Sequence, residues 1–327
     1  MFTYVVLRDC KGNIQEEYKM KLKKIAAAVL TVAMMFSMTG CNAITIDGEE
    51  NVATGEGESV GNGSIGFSVS TLNNPFFVTL SEGAKDKADE LGVNLIVVDA
   101  GDETAKQTSD IEDLISKNIS VLIVNPVDSD AVAPAVKDAV SKGIKVISVD
   151  RVVNGVDVDC AIASDNVAGA EAATEYLVSL IGEGAKVAEL QGTTGASATI
   201  DRGQGFHNVA DKKLNVVASQ TGDFNRSDGM SVMENMLQAD SGIQGVFAHN
   251  DEMALGAVEA IGSRMIVVVG FDATDDAQAA VKAGKMAATV AQKPDLMGAT
   301  AVETAQKILN GETVDKEIPV EVELITK

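Results

Sequence analysis

Four apolar runs in this chain of 327 residues end in polar side chains able to hold a hydroxyl group. Val121-Leu122-Ile123-Val124 runs into Asn125, Val146-Ile147-Ser148-Val149 into Asp150-Arg151, Val246-Phe247-Ala248-His249 into Asn250, and Val267-Val268-Val269-Gly270-Phe271 into Asp272. An amide both donates and accepts, an ionised carboxylate accepts from several donors, and a guanidinium donates in a fixed fork. Brought together, these groups would hold a small polyhydroxylated molecule. Other chemistry finds little support. Gly192-Thr193-Thr194-Gly195-Ala196-Ser197 lacks the Lys of a phosphate-binding loop and the spacing of a dinucleotide fingerprint, so it reads as a turn. Asp223, Asn225, Ser227 and Glu234 fall at four oxygen-ligand spacings of a calcium loop, but Asp228 stands where the turn glycine belongs, and the spacing reads as chance. His207 and His249 are the only histidines, and neither has a partner at metal-ligand spacing. No G-x-S-x-G elbow and no nucleophile–base pair emerges, so neither an enzyme nor a cofactor is expected.

The elements that must position these residues read as α/β. Continuous β-branched runs suit parallel strands buried on both faces, and open α/β sheets bind ligands at the carboxyl ends of their strands. From Ser64 onward strand-like and helix-like segments alternate. Asn74 and Pro75 open a helix that stops before Gly92, with Phe77, Leu80, Ala84, Ala88 and Leu91 on one stripe. Further helices are expected over about Glu103–Lys117, Ser129–Lys142 and Pro294–Leu309. Strands are expected at Leu95–Val98, Val121–Val124, Lys145–Val149, Lys186–Leu190, Val216–Ser219, Gly245–Ala248, Met265–Val269, Met286–Val290 and Ile318–Leu324.

Length points to two domains, because single cores stop growing at roughly 250–300 residues. The formal charge of −22 argues against a nucleic-acid partner, which needs clustered Lys and Arg, and gives no reason to expect an oligomer. Residues 20–40 read as an export signal: Lys21-Leu22-Lys23-Lys24, an apolar stretch from Ile25 to Met38, then Thr39-Gly40 before Cys41. Met38-Thr39-Gly40-Cys41 resembles the bacterial lipobox, which implies lipidation of Cys41 and an extracytoplasmic, membrane-anchored protein. Residues 1–19 play no part in such a signal and read as an upstream extension, with Met20 the true start. Loss of residues 1–40 removes six basic and three acidic residues and takes the charge to −25. Residues 42–63, rich in Gly, Glu, Asn and Ser, read as a tether. Cys160 is then the one cysteine left in the body, an apolar filler with no disulfide partner.

Ser70-Thr71-Leu72-Asn73-Asn74-Pro75-Phe76-Phe77 closely resembles the opening motif of the bacterial ribose-binding proteins, periplasmic-type receptors of sugar importers. Further matches follow in order: Asn125 to Val132, Val149-Asp150-Arg151, Ile162 to Asn166, Glu189-Leu190-Gln191-Gly192, Arg202 to Phe206, Asn250 to Ala257, and Val269-Gly270-Phe271-Asp272. The likeness spans roughly residues 65–327. It implies a periplasmic-binding-protein type I fold, two Rossmann-like lobes with parallel sheets joined by three crossing segments near Ser164, Gln292 and Glu321. One lobe would hold residues 64–163 plus 293–320, the other 164–292 plus 321–327. It also implies a pocket made by Asn74, Phe76, Phe77, Asn125, Asp150, Arg151, Arg202, Phe224, Asn250, Asp272 and Gln292. Rings would cover the apolar faces of a sugar while the polar groups satisfy its rim. The implied partners are D-ribose and a membrane ABC-type permease, with a chemoreceptor as a further candidate. Another sugar such as allose, a second pentose or autoinducer-2 is the alternative ligand. A lactose-repressor-type regulator shares the architecture but needs a basic helix-turn-helix where this chain has its signal. Two departures stand out: Ile261-Gly262-Ser263-Arg264 is about three residues shorter than is usual in the family, and His249 replaces the more typical Gln beside Asn250.

Overall fold

The computed structural model describes residues 63–327. The expected extension, export signal, Cys41 and all but the last residue of the tether lie outside the described residues.

Two six-stranded sheets organise the chain. The first contains β1 (Ile65–Val69), β2 (Leu95–Asp99), β3 (Val121–Val124), β4 (Lys145–Val149), β5 (Cys160–Ser164) and β11 (Glu317–Val320), in the order β2-β1-β3-β4-β5-β11. The second contains β6 (Lys186–Gln191), β7 (Asn215–Thr221), β8 (Gly245–Ala248), β9 (Val267–Asp272), β10 (Ala288–Ala291) and β12 (Glu323–Thr326), in the order β7-β6-β8-β9-β10-β12. All pairings are parallel except β10 with β12. Each sheet is thus doubly wound with its switch point beside its first strand, between β1 and β3 or between β6 and β8.

The β-branched runs form central strands because helices cover both faces of each sheet. Val121 and Ile123 pack to one side of the first sheet and Leu122 and Val124 to the other, as the two-residue period requires. On the first side lie α1 (Pro75–Leu91) and α9 (Pro294–Leu309), and on the second α2 (Thr104–Ser116) and α3 (Ala133–Ser141). The second sheet is covered by α4 (Asn166–Ile181) and α5 (Ser197–Lys213) on one face. Its other face meets α6 (Arg226–Ala239), α7 (Asp251–Ile261) and α8 (Asp275–Lys282). The chain passes between the sheets three times: from β5 into α4, from β10 into α9, and from β11 into β12. Among the described residues no helix is long and apolar enough to cross a membrane.

Three expectations are corrected. The helix expected from Ser129 begins at Ala133, because the Asp128 carboxylate accepts from the N–H groups of Asp130 and Ala131 and makes a turn first. The strand expected from Met265 begins at Val267, and Met265 is 99 % exposed. The single strand expected over Ile318–Leu324 is two strands in different sheets, broken where the chain crosses.

Candidate ligand-binding site

The carboxyl ends of both sheets face one cavity, and the lobes supply matched residues to it. Asn125 follows β3 and Asn250 follows β8, while Asp150 follows β4 and Asp272 ends β9. The cavity is tight, with about 10 Å³ of free space, and is lined by Asn74, Phe76, Asp150, Arg151, Ala198, Arg202, Phe224, Asn250, Asp272 and Gln292. That is roughly the room one water molecule needs, so in this arrangement the lining side chains pack against one another. A larger groove of about 510 Å³ opens beside it and shares Phe76, Asp272 and Gln292, but its acids Asp275, Asp276 and Asp295 are exposed. Recognition of a polar ligand draws on desolvated charges, and these lie in the small cavity.

The first lobe contributes through α1 and the ends of β3 and β4. The Asn74 side chain caps α1 by accepting from the Phe76 N–H at 2.9 Å, which fixes Phe76 at the cavity wall. Phe77 stands edge-on to Phe76, ring centroids 5.2 Å apart, and does not line the cavity. Instead the Arg151 guanidinium lies 5.1 Å from the Phe77 ring, a cation–π contact that orients it. Asn125 also stands back from the cavity. It donates to the Asp150 carboxylate at 3.0 Å and to the Val149 carbonyl, while its own oxygen accepts from the Ser70 N–H. Behind Asn125, fully buried Gln107 donates to its carbonyl and accepts from the Val127 N–H.

The second lobe contributes through α5, the loop before α6 and the ends of β8, β9 and β10. Arg202 Nε donates to Asn166 Oδ1 at 2.8 Å and Nη1 donates to the His249 carbonyl at 2.6 Å, which aims the guanidinium over the Phe271 ring and to within 3.7 Å of Asp272. Asn250 caps α7 through the Met253 N–H and donates to the Phe224 carbonyl. The Phe224 ring lies against the Gly192 backbone, where any β-carbon would collide with it. Gln292 donates to Asp272 at 2.7 Å. Arg151 Nε and Gln292 Oε1 are buried and find no hydrogen-bond partner among the described residues.

Three lining residues occupy the positive-φ region that favours glycine: Asp150 at 64°, Phe224 at 59° and Asp272 at 126°. Such backbone costs about 1–3 kcal/mol each and persists only where surrounding contacts over-determine it. Here the neighbouring bonds of Asn125, Asn250 and Gln292 do so. Burial raises the Asp150 carboxyl above its ordinary range against the pull of Arg151 and Arg202. Burial likewise pushes Asp272 up to about 7 against Arg202, and lowers both Arg151 and Arg202. Every charged group in the cavity is short of solvation, which is the condition under which ligand hydroxyls are strongly held.

Nine of the eleven residues expected from the sequence line the cavity; Phe77 and Asn125 support it from behind. Ala198 is the one lining residue that sequence reading missed, since an alanine carries no polar signal. Asp251 was also missed. It is fully buried beside Asp272 and accepts from Thr289 Oγ1 and the Thr274 N–H, which pins the backbone after β9. His249 is buried against Glu189, Nε2 to Oε1 2.9 Å, and touches the site through its carbonyl alone. Asn225 of the calcium-like spacing caps α6, and Asp223 accepts from Thr221.

A family model described as periplasmic binding protein domain matches residues 65–313. The ribose import binding protein of Bacillus subtilis (strain 168) is 47 % identical over 308 residues, which cover 94 % of this chain and all of that one. The ribose import binding protein of Escherichia coli (strain K12) is 46 % identical over 312 residues, with the same coverage. Among solved structures, the Caulobacter myo-inositol binding protein bound to myo-inositol superposes with a TM-score of 0.77 at 34 % identity, covering 84 % of this chain and 96 % of that one.

Proposed function

The chain belongs to the periplasmic binding protein family, and from that membership we propose that it captures D-ribose between its two lobes and delivers it to a membrane ABC-type permease. The observation that carries this reading is the cavity between the lobes, in which Asp150, Arg151, Arg202 and Asp272 are all buried and Arg151 Nε and Gln292 Oε1 lack hydrogen-bond partners among the described residues. Phe76 and Phe224, one from each lobe, line the cavity as the rings that would cover the C–H faces of a sugar. The two carboxylates and two guanidiniums meet its hydroxyls, with Asn74, Asn250 and Gln292 completing the rim. No bond is made or broken. Because the contacts come from both lobes, a sugar binds the closed arrangement better than an open one, and that difference drives closure.

The same proposal includes the anchor. Acyl chains on Cys41 hold the body at the outer side of the membrane, supported by the basic start at Lys21–Lys24, the apolar stretch and the Thr39-Gly40-Cys41 ending. A chemoreceptor that reads the closed form would be a second partner. Metabolic labelling with a fatty-acid probe tests the anchor: wild type labels and Cys41→Ser does not.

Calorimetry against ribose, allose, xylose, glucose and galactose tests the ligand. Ribose is expected to bind tightest, and 2-deoxyribose at least about tenfold weaker, because each lost hydroxyl strands a buried charged partner. Ribose at a hundred times its Kd should add about 2.7 kcal/mol of stability and raise Tm by several degrees. A chain that prefers allose or a hexose would refute ribose as the cargo while leaving the receptor reading in place.

A further inference from the structure

The Gly192–Ser197 turn joins the two lobes directly. Three hydrogen bonds cross from it to the first lobe: the Ser129 N–H donates to the Gly195 carbonyl at 3.0 Å, the Ser197 N–H donates to Ser129 Oγ at 3.2 Å, and the Val152 N–H donates to Ser197 Oγ at 3.0 Å. Neither serine lines the sugar cavity, and both are buried. The pattern has a local cause. Helix α5 starts after Ala196, a residue with no side chain to cap it, whereas α1, the equivalent helix of the first lobe, is capped by its own Asn74. The first N–H of α5 finds its acceptor on Ser129, across the cleft. Asn154 donates to the Ser129 carbonyl and so fixes that serine within the first lobe.

We propose that Ser129 and Ser197 form a latch that sets how long the closed receptor holds its sugar, without either residue touching the sugar. Closure caps α5, the helix that also carries Arg202 and Ala198 into the cavity, so the latch and the ligand contacts form together. The three crossing segments leave from β5, β10 and β11, whereas the latch sits beyond β3 and β4, so the two sets of connections act at different places along the cleft. The open receptor has no latch, so the serines act on release rather than on encounter. One net hydrogen bond corresponds to roughly a five- to tenfold change in an equilibrium constant.

The latch rests on the sugar-receptor reading for its ligand, and stopped-flow kinetics with ribose on the full chain tests it. Ser197→Ala and Ser129→Ala should each raise the dissociation rate about five- to tenfold with the association rate unchanged. Ser197→Thr, which keeps the hydroxyl, should restore slow release, a rescue that a general loss of packing would not give. Unchanged release in both alanine variants, or a loss carried by association, would overturn the latch. A second measurement needs no sugar. The double variant Ser129→Cys with Ser197→Cys should form an intramolecular disulfide under mild oxidation, as the closed arrangement visits that geometry. Absence of cross-linking overturns the latch whatever the ligand, whereas cross-linking in a chain that ignores ribose overturns the ribose reading alone.

Discussion

Asp150 does two things that pull in opposite directions. It accepts from a sugar most strongly when charged, yet it is 4 % exposed and sits at φ 64°, where most side chains are strained. Asparagine tolerates that backbone and keeps an oxygen to accept from Asn125, but it brings no charge. Asp150→Asn should therefore weaken ribose binding by roughly 10- to 150-fold, the worth of a charge-assisted hydrogen bond, while Tm stays the same or rises. Calorimetry and a melting curve on one preparation check both halves, and a fall in Tm alongside lost affinity would mean the carboxylate is needed for the fold. Arg202 differs, because it holds Asn166, the His249 carbonyl and the Phe271 face as well as Asp272. Its removal strands a buried carboxylate, so Arg202→Ala should cost about 3–5 kcal/mol of stability on top of affinity.

At the scale of elements, the closest packing in the first lobe is between α1 and α9. A β-carbon on Gly83 would strike the Asp295 backbone, and one on Gly298 would strike the Leu80 carbonyl. The two helices therefore meet backbone to backbone, which places the capped start of α1, with Asn74 and Phe76, against the segment where β10 crosses into α9. Gly298→Ala must push the helices apart and should destabilise by about 1–3 kcal/mol. It should also weaken sugar binding by moving Phe76, although residue 298 lines no part of the cavity. Urea denaturation with a parallel binding isotherm measures both, and a neutral result in each would show that the helix pair relaxes freely. The α/β alternation was legible at this scale because β-branched runs and helix caps are local signals. Strand β5, Cys-Ala-Ile-Ala-Ser, was not picked out as a strand, since Ile162 is its one β-branched residue. Helix α3 was drawn too long for a similar reason: the Asp128 turn is a side-chain bond that residue type alone does not announce.

For the whole molecule, closing the cleft is expected to be coupled to protonation. Burial raises Asp272 to about 7 and Asp150 in the same direction. Asp102, exposed on the first lobe, is raised in the same direction by partial desolvation, with Asp99 on its own lobe and Asp223 on the other adding repulsion against Thr71 and Arg151. Solvation in an open cleft would return these groups toward their ordinary range, so the closed form is expected to bind more protons than the open one, for Asp272 up to about pH 7. Their contribution favours closure below that pH and is lost as pH rises through it. The radius of gyration of the sugar-free protein should therefore be larger at pH 8 than at pH 5.5, and Asp272→Asn should shrink the difference. X-ray scattering checks this, and a radius independent of pH would mean that the carboxylates are solvated in both forms.

The sequence by itself determined the strand ends and the polar residues that close them, because strand propensity, helix caps and turn residues act over a few positions of chain. It also carried the family motifs on which the pocket expectation rests. Only the tertiary structure decided which of those residues face the cavity and which brace it. Phe77 and Asn125 are turned away by contacts with Arg151, Asp150 and Ser70. Only the tertiary structure, too, made a latch of an unremarkable turn, since the acceptor that caps Ser197 is 68 positions away along the chain and on the opposite side of the cleft. Directions of side chains and bonds across a cleft depend on how two separately folded sheets are set against each other, and no local rule of sequence encodes that.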